Sequence, residues 1–540
     1  MPIASSVLDK RRTIAAPGFN RWLIPPAALA IHLCIGMAYG FSVFWLPLSQ
    51  ALPADAVAAS CADASWTSLL VRRDCNWPVS MLGWTYTLFF VLLGSSAALF
   101  GHWLESAGPR KAGVVAALCW AGGLAIAAVG VQQHQLWLMW LGAGVIGGIG
   151  LGLGYISPVS TLIKWFPDRR GLATGLAIMG FGGGAMIGSP LADRLMSHFA
   201  ASGAGPGVWQ TFFILAALYF VSMMLGAFGY RVPAPGWKPA GGVPAPSAKA
   251  LRAAGHVHVD RAVRTPQFWL LWAVLCLNVS AGIGVVGMAS PMLQEVFGGR
   301  LLGGTEPLGA LGPEARAQVA TLAAAFAGLL SLFNIAGRIF WASFSDVIGR
   351  RVTYGIFFLL GLALYAAAPP VGLAGQVGLF VAMFCVILTM YGGGFATIPA
   401  YLADLFGTQH VGAIHGRLLT AWSVAGILGP VVVNYIREFQ LARGLPPAQA
   451  YNATLTLLAG FLAVGFVCNL LVRPVAARHF LSDADLAAER ALAQETVETA
   501  VAAPGGRTSG AVVALAWIAV GLPMGWGVWM TLTKALVLFR

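Results

Sequence analysis

The chain has 540 residues, of which 58% are hydrophobic and 9% are charged, whereas a soluble globular chain carries roughly 25% charged residues. The mean hydropathy of +0.78 is more apolar than any water-soluble core of this length requires, and it excludes an ordinary soluble protein. A net charge of +13 raises nucleic acid as a partner. The basic residues, however, lie in short segments between apolar runs, without interleaved stacking aromatics. We therefore expect the lipid bilayer, and no nucleic acid, to be the partner.

Apolar runs long enough for membrane helices, which need about 20 residues each, recur along the whole chain. The first six lie near residues 22–52, 79–101, 112–131, 135–163, 172–199 and 210–230. The next six lie near 267–297, 318–344, 352–368, 373–403, 412–436 and 449–472, and a last one covers 511–533. The first run is too long for a signal-peptide core, so we interpret it as an uncleaved span.

The polar segments between these runs divide the chain into five parts. We predict an N-terminal six-helix half (1–230), a cytoplasmic central loop (231–265), a C-terminal six-helix half (266–475), a polar cytoplasmic tail (476–510) and a thirteenth transmembrane helix (511–540). The acidic, Ala-rich piece 483–498 of the tail is compatible with a short surface helix. The fold class is therefore all-α membrane protein.

The distribution of Lys and Arg predicts the orientation. With the N-terminus inside, cytoplasmic segments up to residue 490 hold twenty-one of these residues and the opposite loops hold seven. We expect a multi-pass protein of the bacterial inner membrane with a cytoplasmic N-terminus.

Corresponding motifs recur in the two halves at nearly constant spacing. Glu105 and Asp346 are 241 residues apart, and Pro47 and Pro291 are 244 apart. Such offsets predict two homologous halves in parallel repeat, with a substrate site between them near the middle of the bilayer.

Two short loops, after the second and eighth runs, carry the strongest motif. In such a loop a glycine allows a tight turn. An acidic residue with neighbouring basic residues can form a charge network that joins adjacent helices, and this network would break when the two halves move between states. The alternative is a generic hairpin whose charges only set topology. The residues of this predicted conformational latch are Gly101, Glu105, Gly108, Arg110 and Lys111 in the first copy and Asp346, Gly349, Arg350 and Arg351 in the second.

The two loops resemble the signature loop of the major facilitator superfamily, although Glu105 stands where that family usually has Asp. Four further stretches, 36–48, 164–175, 264–272 and 415–430, resemble the oxalate–formate antiporter family, which is related to the monocarboxylate transporters. This resemblance implies a carrier of small carboxylates such as formate, oxalate, lactate or pyruvate, coupled to a proton or a counter-anion, and acting as a monomer.

Ionisable residues deep in the bilayer are costly and usually functional. Arg338 lies eight residues before Asp346, about 12 Å along the helix, and its planar donor fork suits a carboxylate. In the resembling monocarboxylate carriers the matching Arg engages substrate. The alternative is that Arg338 belongs to the latch. Asn334 lies one turn away on the same face. Because an amide side chain does not titrate, Asn334 puts proton coupling through this position in doubt.

His32 in the first run is a candidate proton relay, or a residue that only hydrogen-bonds a neighbouring helix. We predict that aromatic residues complete the substrate site, although each is individually compatible with packing: Tyr39, Tyr155, Tyr391 and Trp422. Dicarboxylate carriers of the resembling family pair the Arg with a Lys in the eleventh span, where this chain has Trp422. One cation balances one carboxylate, so we expect a monocarboxylate.

The remaining features define the alternatives. Cys61 and Cys75 share the first polar loop and are a disulfide candidate, because this loop is assigned to an oxidising compartment. The sequence contains no catalytic constellation and no metal-ligand spacing, so we predict no cofactor, no metal and no enzyme activity. Other hypotheses are an intramembrane enzyme, an oxalate/formate-type exchanger, a drug–proton antiporter on the same fold and a sensor that kept a carrier fold.

Overall fold

The computed structural model of the protein describes residues 7–52, 56–61, 64–167, 170–201, 205–234, 237–239, 255–407, 410–482, 484 and 508–539. This part of the chain is helical, with two isolated β-bridges and no strand. The central loop and the polar tail, including the acidic piece at 483–498, lie largely outside the described residues.

Thirteen long helices, α1 to α13, account for most of the described chain. Those of the first half are α1 Arg21–Ser49, α2 Val79–Ala107, α3 Pro109–Gln132, α4 Leu136–Trp165, α5 Arg170–Ala200 and α6 Val208–Gly229. Those of the second half are α7 Pro266–Phe297, α8 Pro313–Ile348, α9 Arg350–Leu373, α10 Val377–Phe406, α11 Val411–Ala442 and α12 Asn452–Leu471, and α13 is Gly510–Ala535.

Twelve of these helices are long and apolar enough to cross a membrane, judged on the described residues. The other is α5, a 31-residue, glycine-rich helix that packs against α1 and α8 inside the bundle. The protein is therefore a multi-pass membrane protein built from two six-helix repeats and one additional C-terminal helix.

The repeat is visible in how each half begins and ends. Ile14, before α1, forms a β-bridge with Val232, after α6. In the second half Val257, before α7, forms a bridge with Phe480, after α12. Each half thus closes on itself through backbone hydrogen bonds at the membrane side where α1 begins, which we call the N-terminal side.

The two halves meet mainly along α1 with α7, α2 with α11 and α5 with α8, and α5 also contacts α10. Buried polar groups join them: Trp45 Nε1 donates to the Gly287 carbonyl oxygen (3.2 Å), and Ser423 Oγ donates to that of Val91 (2.8 Å). Further buried polar bonds cross the interface, among them those of Arg338 with Ile178 and of Tyr39 with Tyr391. Contacts between the halves are the ones that must change when the halves of such a fold rock.

A cavity of about 880 Å³ opens between the halves on the side opposite the N-terminal side. Its walls come from the ends of α1, α5, α7 and α11 and from the start of α8. They include Ser42, Asp193, Ser290, Arg316 and Arg437. We call this cavity the vestibule. At the N-terminal side α2 packs against the start of α11 and α5 against α8, so the halves are in contact there.

Candidate functional site

Arg338 is fully buried in α8, with 0% of its surface exposed. Its Nε donates to Asn334 Oδ1 (2.9 Å), one helical turn away, and its Nη1 donates to the carbonyl oxygen of Ile178 in α5 (2.9 Å). Nη2 has no hydrogen-bond partner among the described residues, and none of them forms an ion pair with this guanidinium. A buried cation without a counter-charge is costly, so this position is chemically suited to an anion.

Seven buried aromatic residues from both halves form one connected cluster beside this guanidinium. Arg338 lies over the Phe395 ring, 5.5 Å from its centroid, and faces the hydroxyls of Tyr39 and Tyr155. The Trp422 ring packs 4.2 Å from Phe395 and 5.2 Å from Tyr155, measured between centroids. The aromatic cluster consists of Tyr39, Phe90, Tyr155, Phe181, Tyr391, Phe395 and Trp422.

Two further donors of this cluster lack an ordinary hydrogen-bond partner. Trp422 Nε1 is buried without a hydrogen-bond partner among the described residues, and the buried Tyr155 hydroxyl has none of ordinary geometry, although it interacts with the Arg338 guanidinium. Buried polar atoms are nearly always hydrogen-bonded, so each exception requires an explanation. Three donors without an ordinary partner in one cluster, one of them on a cation, match the acceptor oxygens of a small anion.

Two tyrosines of this cluster form a hydrogen-bonded pair near the vestibule. The hydroxyls of Tyr39 in α1 and Tyr391 in α10 are hydrogen-bonded at 2.8 Å. Tyr39 lies one turn from Ser42, which lines the vestibule, and it also lines a void of about 10 Å³ together with Asn334. Such a void holds about one water molecule, so the space between Tyr39 and Asn334 is too small for a carboxylate in this conformation.

His32 lies beside the same cluster. Its ring stacks on Tyr155 with centroids 5.5 Å apart, and its Nε2 is 3.2 Å from the Tyr155 carbonyl oxygen. All seven residues predicted for the substrate site therefore belong to one connected group around Arg338, and their roles in binding stay predictions.

The two predicted latch loops have the same backbone. Gly108 and Gly349 both adopt positive φ (84° and 91°), a conformation that glycine adopts without strain, and each joins two long helices. In the second loop Arg350 pairs with Asp346 and lies 3.6 Å from an Asp404 carboxylate oxygen. Arg351 donates to the carbonyl oxygen of Leu470.

The first latch loop has different contacts. Arg110 Nη1 donates to the Val7 carbonyl oxygen (2.9 Å), and Lys111 lies over the Trp103 ring at 6.0 Å. The Glu105 side chain lies outside the described part of the structure, and a side chain at Gly101 would meet no atom within 4 Å. A charge network among the described latch residues is therefore present only around Arg350.

The loop between α1 and α2 brings its two cysteines together. The Cα atoms of Cys61 and Cys75 are 5.5 Å apart and their sulfur atoms are bonded. Arg72 pairs with Asp74 at 2.7 Å and holds the pKa of that carboxyl below its ordinary value. His134, which stacks on Trp77, donates a 2.8 Å hydrogen bond from Nε2 to the Cys75 carbonyl oxygen. These contacts fix the loop over the end of α3.

Sequence reasoning missed several residues near the site. Phe181, Phe395 and Gly182 contact the predicted residues, but they look like ordinary residues of apolar helices. A Cβ at Gly182 would lie 2.9 Å from Arg338 Nε. At the vestibule wall Arg437 forms a bidentate pair with Glu295, whose carboxylate also accepts from the Tyr451 hydroxyl (2.6 Å).

Comparison with known proteins agrees with this architecture. Residues 33–430 match the Major Facilitator Superfamily model. The chain is 25% identical over 411 residues to the oxalate:formate antiporter of Oxalobacter formigenes, covering 76% of this chain and 83% of that protein. It is 26% identical over 454 residues to apicoplast pyruvate carrier 1 of Toxoplasma gondii, covering 72% and 78%.

The fold recurs in a bacterial homologue of the human lysosomal transporter Spinster, whose crystal structure is inward-facing and unoccupied. The TM-score is 0.53 at 14% identity, over 84% of this chain and 98% of that one. With a matching family model over most of its length and a shared helical fold, the chain belongs to the major facilitator superfamily, a family of membrane transporters and not of enzymes.

Proposed function

We propose that this transporter is a secondary carrier of a small monocarboxylate, of the formate, lactate or pyruvate class, which works by alternating access as a monomer. The observation that carries the proposal is the buried Arg338 with its unpartnered Nη2, next to the Tyr155 hydroxyl and the unpartnered Trp422 Nε1. One fixed cation balances one carboxylate, and the close packing of the aromatic residues around it favours a small substrate. The names of the two relatives, an oxalate:formate antiporter and a pyruvate carrier, agree with this substrate class.

The coupled ion that we propose is a counter-anion. Asn334 cannot carry a proton, and the described residues that contact Arg338 include no carboxylate. An empty site would have to close around an uncompensated cation, which is costly in an apolar bundle. Exchange of one anion for another avoids this step.

Counterflow and net uptake in proteoliposomes test the two statements separately. We expect unlabelled internal formate, lactate or pyruvate to drive uptake of the same labelled anion, and oxalate to be a poorer substrate, which tests the substrate class. Proteoliposomes without an internal anion are expected to show no uptake under an imposed pH gradient, which tests the counter-anion. Protein-free liposomes are the control. Uptake that requires a pH gradient would instead support a relay through His32, and movement of lipophilic cations without any carboxylate would support the drug–proton antiporter.

We also propose that the N-terminal side faces the cytoplasm of the bacterial inner membrane. The excess of Lys and Arg on that side supports this orientation, and it places the loop of Cys61 and Cys75 in an oxidising compartment. A reporter fused after Ser509 is expected to give a cytoplasmic signal, and one after Arg540 a periplasmic signal. Mass spectrometry of non-reduced peptides is expected to find Cys61 linked to Cys75. Two free thiols there, or cytoplasmic signals at both fusions, would contradict this arrangement.

A further inference from the structure

The additional helix α13 is not a peripheral appendage. It lies along the seam where α5 of the first half meets α8 of the second, and it also contacts α1. Most of its surface faces outward, but one stripe is buried against the bundle: Val520, Gly527, Thr531 and Ala535. The spacing of seven, four and four residues is that of a single helix face, so α13 packs on the seam through one continuous stripe.

This stripe contacts both halves. Val520 packs in one cluster with Leu29 and Met186 of the first half and Ile335 of the second. A Cβ at Gly527 would lie 3.1 Å from the Met186 carbonyl oxygen, which shows how closely α13 approaches α5. Small residues at such crossings allow the tight packing on which helix association in membranes depends.

The C-terminal end of α13 contacts a residue of the vestibule wall. Lys534 Nζ lies 3.5 Å from the carboxylate of Asp193, a residue of α5 that lines the vestibule. Arg194 lies over the Trp526 ring at 5.4 Å. These contacts attach α13 to the first half at the membrane side where the vestibule opens.

The same end is attached to the second half. The three nearest atoms to a Cβ built at Gly328 of α8 all belong to Thr531, the closest at 2.7 Å. Beyond α13, the segment Leu536–Phe539 reaches Gly378 at the start of α10, with Leu538 O 3.4 Å from a Cβ there. One rigid helix therefore holds both halves where they are separated by the vestibule.

We propose that α13 is a built-in strut that stabilises the vestibule-open arrangement of this transporter. Closing the vestibule brings the end of α5 and the start of α8 together. These are the two helices that α13 holds at a fixed separation. The closure must break or shift the contacts of Thr531 and Lys534, whereas the open arrangement keeps them. Only differential contacts of this kind bias a two-state equilibrium. The proposal does not depend on the identity of the substrate.

Spin labels across the vestibule test the strut. Gln50 and Ala317 belong to different halves, line the vestibule and are exposed, so Gln50→Cys and Ala317→Cys give a label pair for double electron–electron resonance. The background replaces the five cysteines outside the disulfide with Ala: Cys34, Cys119, Cys276, Cys385 and Cys468. The measured quantity is the ratio of the long-distance to the short-distance population.

The test variant is Gly328→Leu, which places a side chain where Thr531 lies and displaces α13 from α8. We expect the long-distance population to fall relative to the short one by about fivefold, which corresponds to about 1 kcal/mol. The control is Gly525→Leu in α13, on the face of that helix turned away from the bundle, where a Cβ meets no atom within 4 Å. It is expected to leave the ratio unchanged.

An unchanged ratio in Gly328→Leu, or an equal change in both variants, would overturn the proposal. Should Gly328→Leu not be recovered as folded protein, Lys534→Gln decides the question, since it removes only the charge that faces Asp193. A smaller shift towards short distances is then expected, and no shift would overturn the strut.

Discussion

Arg338→Ala is expected to abolish uptake of the carboxylate while the protein still inserts and folds. The substitution removes the guanidinium that lies beside the aromatic cluster, and loss of a buried charge partner costs about 3 kcal/mol or more. That is a loss of affinity of at least about 100-fold, because each 1.4 kcal/mol is tenfold. Arg338→Lys keeps the charge but not the planar fork, so we expect weak binding and slow transport.

Thermal stabilisation by substrate measures this effect independently of transport. A ligand at 100 times its Kd stabilises the folded state by about 2.7 kcal/mol, and the Ala variant should show no such stabilisation. The matched control is Arg350→Ala, which breaks the pair with Asp346 but leaves the site intact. It is expected to change the transport rate and keep the substrate affinity. If Arg338→Ala is stabilised as well as the wild type is, Arg338 belongs to the latch and the monocarboxylate preference argued from Trp422 is lost with it.

Gly182→Ala is expected to lower substrate affinity by about tenfold, or about 1.4 kcal/mol. A Cβ at this position of α5 would lie 2.9 Å from Arg338 Nε and 3.1 Å from Asn334 Oδ1. The added methyl group therefore displaces the guanidinium from the geometry in which Asn334 holds it. Since Arg338 also bonds to Ile178 of the same helix, both of its anchors are disturbed.

Gly175→Ala is the matched control for this prediction. It lies two turns earlier in α5, and the nearest atom to its Cβ is Arg338 O at 3.7 Å, an ordinary van der Waals contact. Both variants gain the same helix propensity, about 1 kcal/mol for Gly to Ala in a helix interior. Isothermal titration of both proteins should therefore show normal affinity for Gly175→Ala only. Equal affinities would mean that the Arg338–Asn334 pair does not bind the substrate.

Much of the fold follows from the sequence because its signals are local. Long apolar runs with few charges predict membrane helices wherever they occur. The run at residues 511–533 was by itself enough to predict the additional helix. The i, i+4 spacing of Asn334 and Arg338 predicts that they share a helix face, and the structure places them in hydrogen-bond contact. Glycine in the loops at Gly108 and Gly349 predicts the tight turns in the same way, since a positive φ is a property of one residue.

The sequence by itself therefore determined which segments cross the membrane and which charges lie among them, whereas only the tertiary structure decided which faces meet. The Tyr39–Tyr391 bond joins residues 352 positions apart, and Glu295 meets Arg437 across 142. The position of α13 on the seam between α5 and α8 is likewise a long-range contact that the sequence pattern does not specify. The physical reason is that a membrane helix is apolar on all sides, so its pattern does not specify its rotation or its neighbours. Those are set by close packing and by the few polar groups that find partners in the assembled bundle.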